Sequence, residues 1–132
     1  MEGKFIATEQ AKREVFDWGQ LTWCCTPDAA QAKNLVVVEV IFSPGASHGF
    51  HKHPHQEEVL YVIEGSVEQW VGRERRVLNS GDSAFVPADV VHGSFNISAK
   101  RAKLLAILGP SVGPEGYELV DMANESPWNT LR

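Results

Sequence analysis

Short apolar runs rich in Val, Ile and Phe recur along this chain, and a turn signal closes almost every one. Strand-length runs fall at 15–18, 21–25, 35–42, 59–63, 67–71, 76–78, 84–86, 94–97 and 103–108. Between them stand Ser43-Pro44-Gly45, Glu64-Gly65, Val71-Gly72, Asn79-Ser80-Gly81-Asp82, Pro87-Ala88-Asp89 and Gly109-Pro110. These residue types supply the fixed or left-handed dihedrals that tight turns need. Many short strands with regular turns predict an all-β fold, an antiparallel sandwich or barrel. Helix signals are poor, and residues 8–14 predict one short turn at most. The tail, 111–132, is rich in Gly, Pro and polar residues but carries Tyr117, Leu119, Val120, Met122 and Trp128. It is expected to be irregular and to pack on the rest. With 132 residues and neither repeat nor linker, a single domain over 1–132 is expected.

The stretch "GFHKHPHQEEVLYVIEG", residues 49–65, carries the chemistry. Five histidines exist, and four lie between residues 48 and 55. In a strand, residues two apart share a face, so His51 and His53 point the same way. Glu58 lies at an odd offset from His53 and would face away on one continuous strand. Pro54 sits where ladder pairing can end, so the chain is expected to bend there. Glu58 then starts a new strand, with Leu60 and Val62 inward and Val59, Tyr61 and Ile63 on the other face. Two imidazoles and a carboxylate suit a divalent first-row metal. His92, far along the sequence, is available as a fourth ligand. The bland alternative is a solvent-exposed loop that meets metal only adventitiously.

With these residues in place, the sequence resembles the cupin superfamily. The first cupin motif, G-x5-H-x-H-x4-E-x6-G, is matched by Gly45, His51, His53, Glu58 and Gly65. The second, G-x5-P-x-G-x2-H-x3-N, is matched by Gly81, Pro87, His92 and Asn96, with Asp89 in place of a glycine. Asp tolerates left-handed geometry better than most residues, so this departure leaves the site intact. The resemblance implies a double-stranded β-helix, or jelly-roll, barrel with its core at about 35–109. It implies that His51, His53, Glu58 and His92 bind one divalent transition metal (iron, manganese, nickel, copper or zinc). It also implies a homodimer, where some of Trp18, Trp23, Trp70 and Trp128 could cover an interface.

Around that site the residues leave choices open. If Val67 and Val71 mark the inner face of their strand, Gln69 faces a ligand in the lumen; if Trp70 marks it, Gln69 is exposed. His55 follows Pro54 and reads as a rim residue, and His48 as a loop residue. Phe50, Phe85 and Phe95 read as core or rim packing. The basic runs at 73–76 and 100–103 read as solvated charge protecting sheet edges. Cys24 and Cys25 are adjacent and lack a motif.

Net charge is -5, which argues against nucleic acid as the main partner. No apolar run is long enough to span a membrane. The start Met1-Glu2-Gly3-Lys4 lacks the features of a leader, and a cytoplasmic location is expected. A small-molecule partner follows from a lumenal metal with open positions. The favoured function is a metal-dependent enzyme acting on a small metabolite, by dioxygenase-type or isomerase/lyase-type chemistry. The alternative is a non-catalytic binding or sensor cupin. A purely structural metal would have closed coordination, which a lumenal site fits poorly.

Overall fold

The computed structural model describes residues 3–132. The leader reading of Met1 and Glu2 lies outside them. Eleven strands follow in chain order: β1 (Lys12–Phe16), β2 (Gly19–Cys25), β3 (Val36–Phe42), β4 (Ser47–Lys52), β5 (Glu57–Glu64), β6 (Ser66–Val71), β7 (Glu74–Asn79), β8 (Ser83–Val86), β9 (His92–Phe95), β10 (Ala102–Gly109) and β11 (Val120–Asp121). They form a six-stranded sheet in the order β1-β2-β3-β10-β5-β8 and a five-stranded sheet in the order β11-β4-β9-β6-β7. Every pairing is antiparallel. This is the expected all-β, double-stranded β-helix barrel.

Alternation builds the interior. β3 turns Val36, Val38, Val40 and Phe42 inward, and β10 turns Ala102, Leu104, Ala106 and Leu108 inward. Register places these side chains in rows: Leu104 lies between Val40 and Val62, and Ala106 between Val38 and Leu60. Leu60 and Val62 point in while Tyr61 and Ile63 are exposed, the parity expected after Glu58. Each fully buried Val or Leu stabilises the fold by about 1.5–3 kcal/mol relative to exposure.

A second cluster, Phe50, Trp70 and Val91, occupies the opposite face of the five-stranded sheet, and Met122, Trp128 and Leu131 cover it. The tail therefore packs on the barrel, as its apolar residues predict, and even adds the short β11 to the sheet edge. A four-residue helix, α2 (Trp128–Leu131), brings the Arg132 guanidinium over the Phe95 ring at 4.1 Å. Trp23 and Trp70 are buried, and Trp18 and Trp128 pack against the two clusters, so all four tryptophans serve the interior of this chain.

Some strand limits differ from expectation. The first strand is Lys12–Phe16, because Asp17 and Trp18 form the turn into β2. The ninth begins at His92 rather than Ser94. Residues 26–30 form one helical turn, α1 (Pro27–Ala30): the Thr26 hydroxyl accepts from the Ala29 amide at 3.1 Å, and Pro27 starts the turn.

Two motif residues act on the backbone. Asp89 has φ 66, the left-handed conformation expected where the motif has glycine, and its amide donates to the His53 carbonyl at 3.0 Å. Asn96 is fully buried and donates to the carbonyls of Phe42, Ser43 and Lys100, tying the β3–β4 turn to the β9–β10 turn. Gly65 has φ +78, and a Cβ there would lie 2.7 Å from the Arg101 carbonyl oxygen. At Gly72, φ is +57 and a Cβ would meet nothing within 4 Å. Gly72→Ala is therefore expected to cost about 1–2 kcal/mol from the backbone alone. Gly65→Ala should cost more, because the clash adds to that term. Urea midpoints of the two variants check this; equal losses would contradict it.

Candidate metal centre

The site is a cross-strand pair facing a carboxylate. β4 and β9 are register partners with His51 opposite His92, and their rings lie 4.2 Å apart between centroids. His53 follows one residue after β4 ends. The chain then turns at Pro54, where the Gln56 amide donates to the His53 carbonyl at 3.3 Å. Glu58 arrives on β5 in the facing sheet, in a row with Val86 and Leu108. One donor atom from each of His51, His53, Glu58 and His92 lies within 4.8 Å of the others, and all four residues are buried.

The histidines are oriented from behind. His51 Nδ1 lies 2.6 Å from the Gly49 carbonyl, His53 Nδ1 2.6 Å from that of Glu118, and His92 Nδ1 3.0 Å from that of Val90. A carbonyl only accepts, so each Nδ1 carries the hydrogen and each Nε2 keeps a lone pair. Nε2 of His92 and Oε1 of Glu58 lie 2.7 Å apart, are fully buried, and have no hydrogen-bond partner. Two facing acceptors repel unless a cation or proton sits with them. Donors about 2.1 Å from one metal ion lie about 3 Å apart when adjacent, so this spacing suits a shared ion. The residues therefore fit a divalent transition metal, and the group could hold one.

The electrostatics follow from burial and these neighbours. Burial pushes the Glu58 carboxyl up, but in metal-free protein hydrogen bonds from His53 and His92, made when a ring is protonated at Nε2 as well, outweigh it and hold the group well below the usual carboxylate range. Burial lowers His53, and the Glu58 carboxylate more than restores it, so the net shift is upward. Burial drives His51 well below its ordinary value, helped by His48 and His92.

His48 stands apart from the expected loop role. It belongs to β4, stacks on His51 at 4.0 Å and on Trp18 at 6.1 Å, and lines the cavity over the site. Strict alternation would turn residues 48 and 51 to opposite faces. The β4–β9 register shifts between them, and this irregularity lets both face inward. Gly49, a glycine inside a strand, is the sequence signal that could have revealed it. His55 is exposed and outside the donor set, 3.6 Å from Glu118 Oε2.

Gln69 is buried, as the inward reading requires, and is not among the residues that line the cavity over the site. Its amide is satisfied internally: Nε2 donates to the Trp70 carbonyl at 3.0 Å, and Oε1 accepts from the Ser94 hydroxyl at 2.6 Å. Gln69 thus holds Ser94, which does line the cavity.

The cavity over the site is small, about 60 Å³. Its wall is mostly apolar, with Trp23, Val40, Leu60, Ala106 and Leu108 from the six-stranded sheet and Tyr117 from the tail. Among the described residues no Lys, Arg or Asp lines it. Tyr117 comes from the tail, which sequence reasoning placed on the barrel without giving it a role. Burial, then Glu14 and Glu115, raise its phenol.

Burial also lowers His48 from 6.5 to about 4. A histidine kept neutral when folded takes up its proton only on unfolding between these two values. Its stabilising effect is complete above about 6.5 and is lost as pH falls towards 4. His53, shifted upward, titrates in the opposite sense, so the informative comparison is wild type against His48→Phe. In metal-free protein the variant should gain on the wild type by a widening margin as pH falls from 6.5 to 4. Parallel pH–stability curves in chemical denaturation would contradict this.

Residues 38–108, more than half of the chain, match the family model described as the Cupin domain. Over 92 residues the chain is 29% identical to a Streptomyces cyaneus protein named Polyketide synthase CurC, covering 70% of this chain and 60% of that one. Over 62 residues it is 32% identical to the Quercetin 2,3-dioxygenase of Bacillus subtilis, covering 47% of this chain and 18% of the relative. The matched region is thus less than two thirds of either relative's length. The solved structure of an RmlC-like cupin from Shewanella frigidimarina superposes with a TM-score of 0.69 at 28% identity, covering 83% of this chain and 92% of the other. Sequence, site geometry and superposition agree: this chain belongs to the cupin family.

Proposed function

We propose that this cupin is a metal-dependent enzyme acting on a small, mainly apolar metabolite. His51, His53, Glu58 and His92 hold one divalent transition metal, either iron, manganese, nickel, copper or zinc. The observation that carries the reading is a buried donor set that opens on one side into an apolar cavity. Such an ion, when bound, supplies a Lewis acid for a substrate oxygen and, if redox-active, a partner for dioxygen.

The chain's own residues bind and orient. Val40, Leu60, Ala106 and Leu108 exclude water and hold the apolar body of the substrate. The Ser94 hydroxyl has given its hydrogen to Gln69, so it offers the substrate an acceptor. Tyr117, with its raised pKa, stays protonated at neutral pH and offers a donor from the cavity wall. A wall without lysine or arginine suits a neutral or singly charged substrate better than a polyanion. Among the described residues, only His48 and Tyr117 lie in the wall as titratable groups outside the donor set. That scarcity of acid–base machinery supports dioxygenase-type cleavage over isomerase/lyase-type chemistry, and the quercetin dioxygenase relative supports the same choice.

The remaining expectations extend this reading. A row of outward apolar side chains, Val37, Ile107, Val59 and Phe85, crosses four strands of the six-stranded sheet, and Phe85 is 55% exposed. That row, rather than the tryptophans, is where a second copy would pack in a homodimer. Among the described residues no helix is long and apolar enough to cross a membrane. Cys24 and Cys25 are free thiols, in keeping with a cytoplasmic location.

The test loads the protein with each candidate metal and offers a panel of neutral enols, diketones and catechols. Dioxygen uptake and product formation are followed beside a His51→Ala/His53→Ala variant. The expected result is product formation with dioxygen uptake, lost in the variant. Product without uptake would move the chemistry to the isomerase/lyase class. Compounds that raise the melting temperature of the loaded protein while none is converted would contradict the enzyme reading and leave a binding cupin.

A further inference from the structure

Gln56 lies between His53 and Glu58 in the sequence, yet it belongs to neither the donor set nor the cavity wall. Its side chain is 1% exposed, and every hydrogen-bonding group of its amide that the fold can reach is spent on one segment. Nε2 donates to the Pro110 carbonyl at 2.8 Å and to the Gly116 carbonyl at 2.9 Å, and Oε1 accepts from the Glu118 amide at 3.1 Å. These partners lie more than fifty residues away in the chain. They belong to a stretch with little regular structure, held otherwise by the Val112–Gly116 bridge, by the Ser111 amide donating to the Lys33 carbonyl at 3.1 Å, and by Tyr117 packing on Trp23.

What that segment presents to the site makes the latch consequential. The Glu118 carbonyl, one peptide on from the amide that Gln56 holds, accepts from His53 Nδ1. The carbonyls behind His51 and His92 come from residues two positions away in the same stretch of chain, so local backbone sets them. His53 alone is oriented by a distant segment. On either side of Glu118, Tyr117 and Leu119 line the cavity.

We propose that Gln56 is the positioning residue of the metal centre. By latching residues 110–118 it aims His53 Nε2 at the metal and closes one wall of the cavity with Tyr117 and Leu119. The inference rests on the metal-binding reading above. Losing the atoms behind a ligating histidine typically weakens metal binding about 10- to 100-fold. An apolar replacement for Gln56 would also strand two buried carbonyls and one amide, which loosens the segment.

Zn²⁺ is the probe, because it is diamagnetic and leaves the imidazole N–H protons visible by NMR. Zn²⁺ affinity is measured by competition with a chromophoric chelator for wild type, Gln56→Leu and Gln56→Asn. The asparagine variant keeps the amide but is one methylene shorter and cannot reach all three partners, so it serves if the leucine variant does not fold. The expected result is a 10- to 100-fold weaker affinity in the leucine variant and a smaller loss in the asparagine variant. In the Zn²⁺-loaded variants the His53 Nδ1 proton should exchange with water fast enough to vanish, while those of His51 and His92 persist. In the wild type, Zn²⁺ should slow amide exchange across 110–119. Equal affinities with all three imidazole protons retained would overturn the proposal alone. Loss of all three protons together would overturn it too, by assigning Gln56 a merely structural role. A wild type that binds no Zn²⁺ would overturn the metal reading, and this proposal with it.

Discussion

Glu58 is a buried carboxylate whose neighbours across its own sheet are Val86 and Leu108. An ionised group in such a row is costly unless something pairs with it. The pairing comes from the other sheet, where His51 and His92 face each other across two strands and His53 follows directly. The barrel is therefore drawn together by two features of opposite kind. Rows of Val and Leu stabilise it without direction, and one polar cluster sets how the two sheets meet. Three backbone carbonyls fix the imidazole tautomers, and this turns the cluster from a set of buried histidines into a set of converging lone pairs.

The same asymmetry shapes the cavity. The six-stranded sheet contributes only apolar side chains besides Glu58, and the small Ala106 leaves room opposite the imidazoles. Polar groups come from the five-stranded sheet and from the tail. In the proposed reading, a substrate is held by shape and apolar contact and oriented by few hydrogen bonds.

How much of this can be read from the residues varies with the distance over which each feature is decided. The strand pattern and the inward set Glu58, Leu60 and Val62 follow from local alternation. The donor set follows from motif spacing, and the left-handed Asp89 from its place in that motif. His48 could not be placed by parity, because a register shift between two strands brings it inward. For Gln69 the residues leave both faces open, and its partner Ser94 lies on β9, so its burial and its bond appear only in three dimensions. Tyr117, Leu119 and the Glu118 carbonyl belong to a tail whose sequence shows that it packs but not where. The helical turn after Thr26 was readable in principle, since Thr26-Pro27 is a capping signal.

A metal at the meeting point of the two sheets can be sought by elemental mass spectrometry. The protein would be purified without a histidine tag and analysed beside a His51→Ala/His53→Ala variant. Close to one transition-metal ion per chain in the wild type, and its loss in the variant, is the expected result. No metal in either protein, even after metals are added back, would contradict a metal centre built from His51, His53, Glu58 and His92.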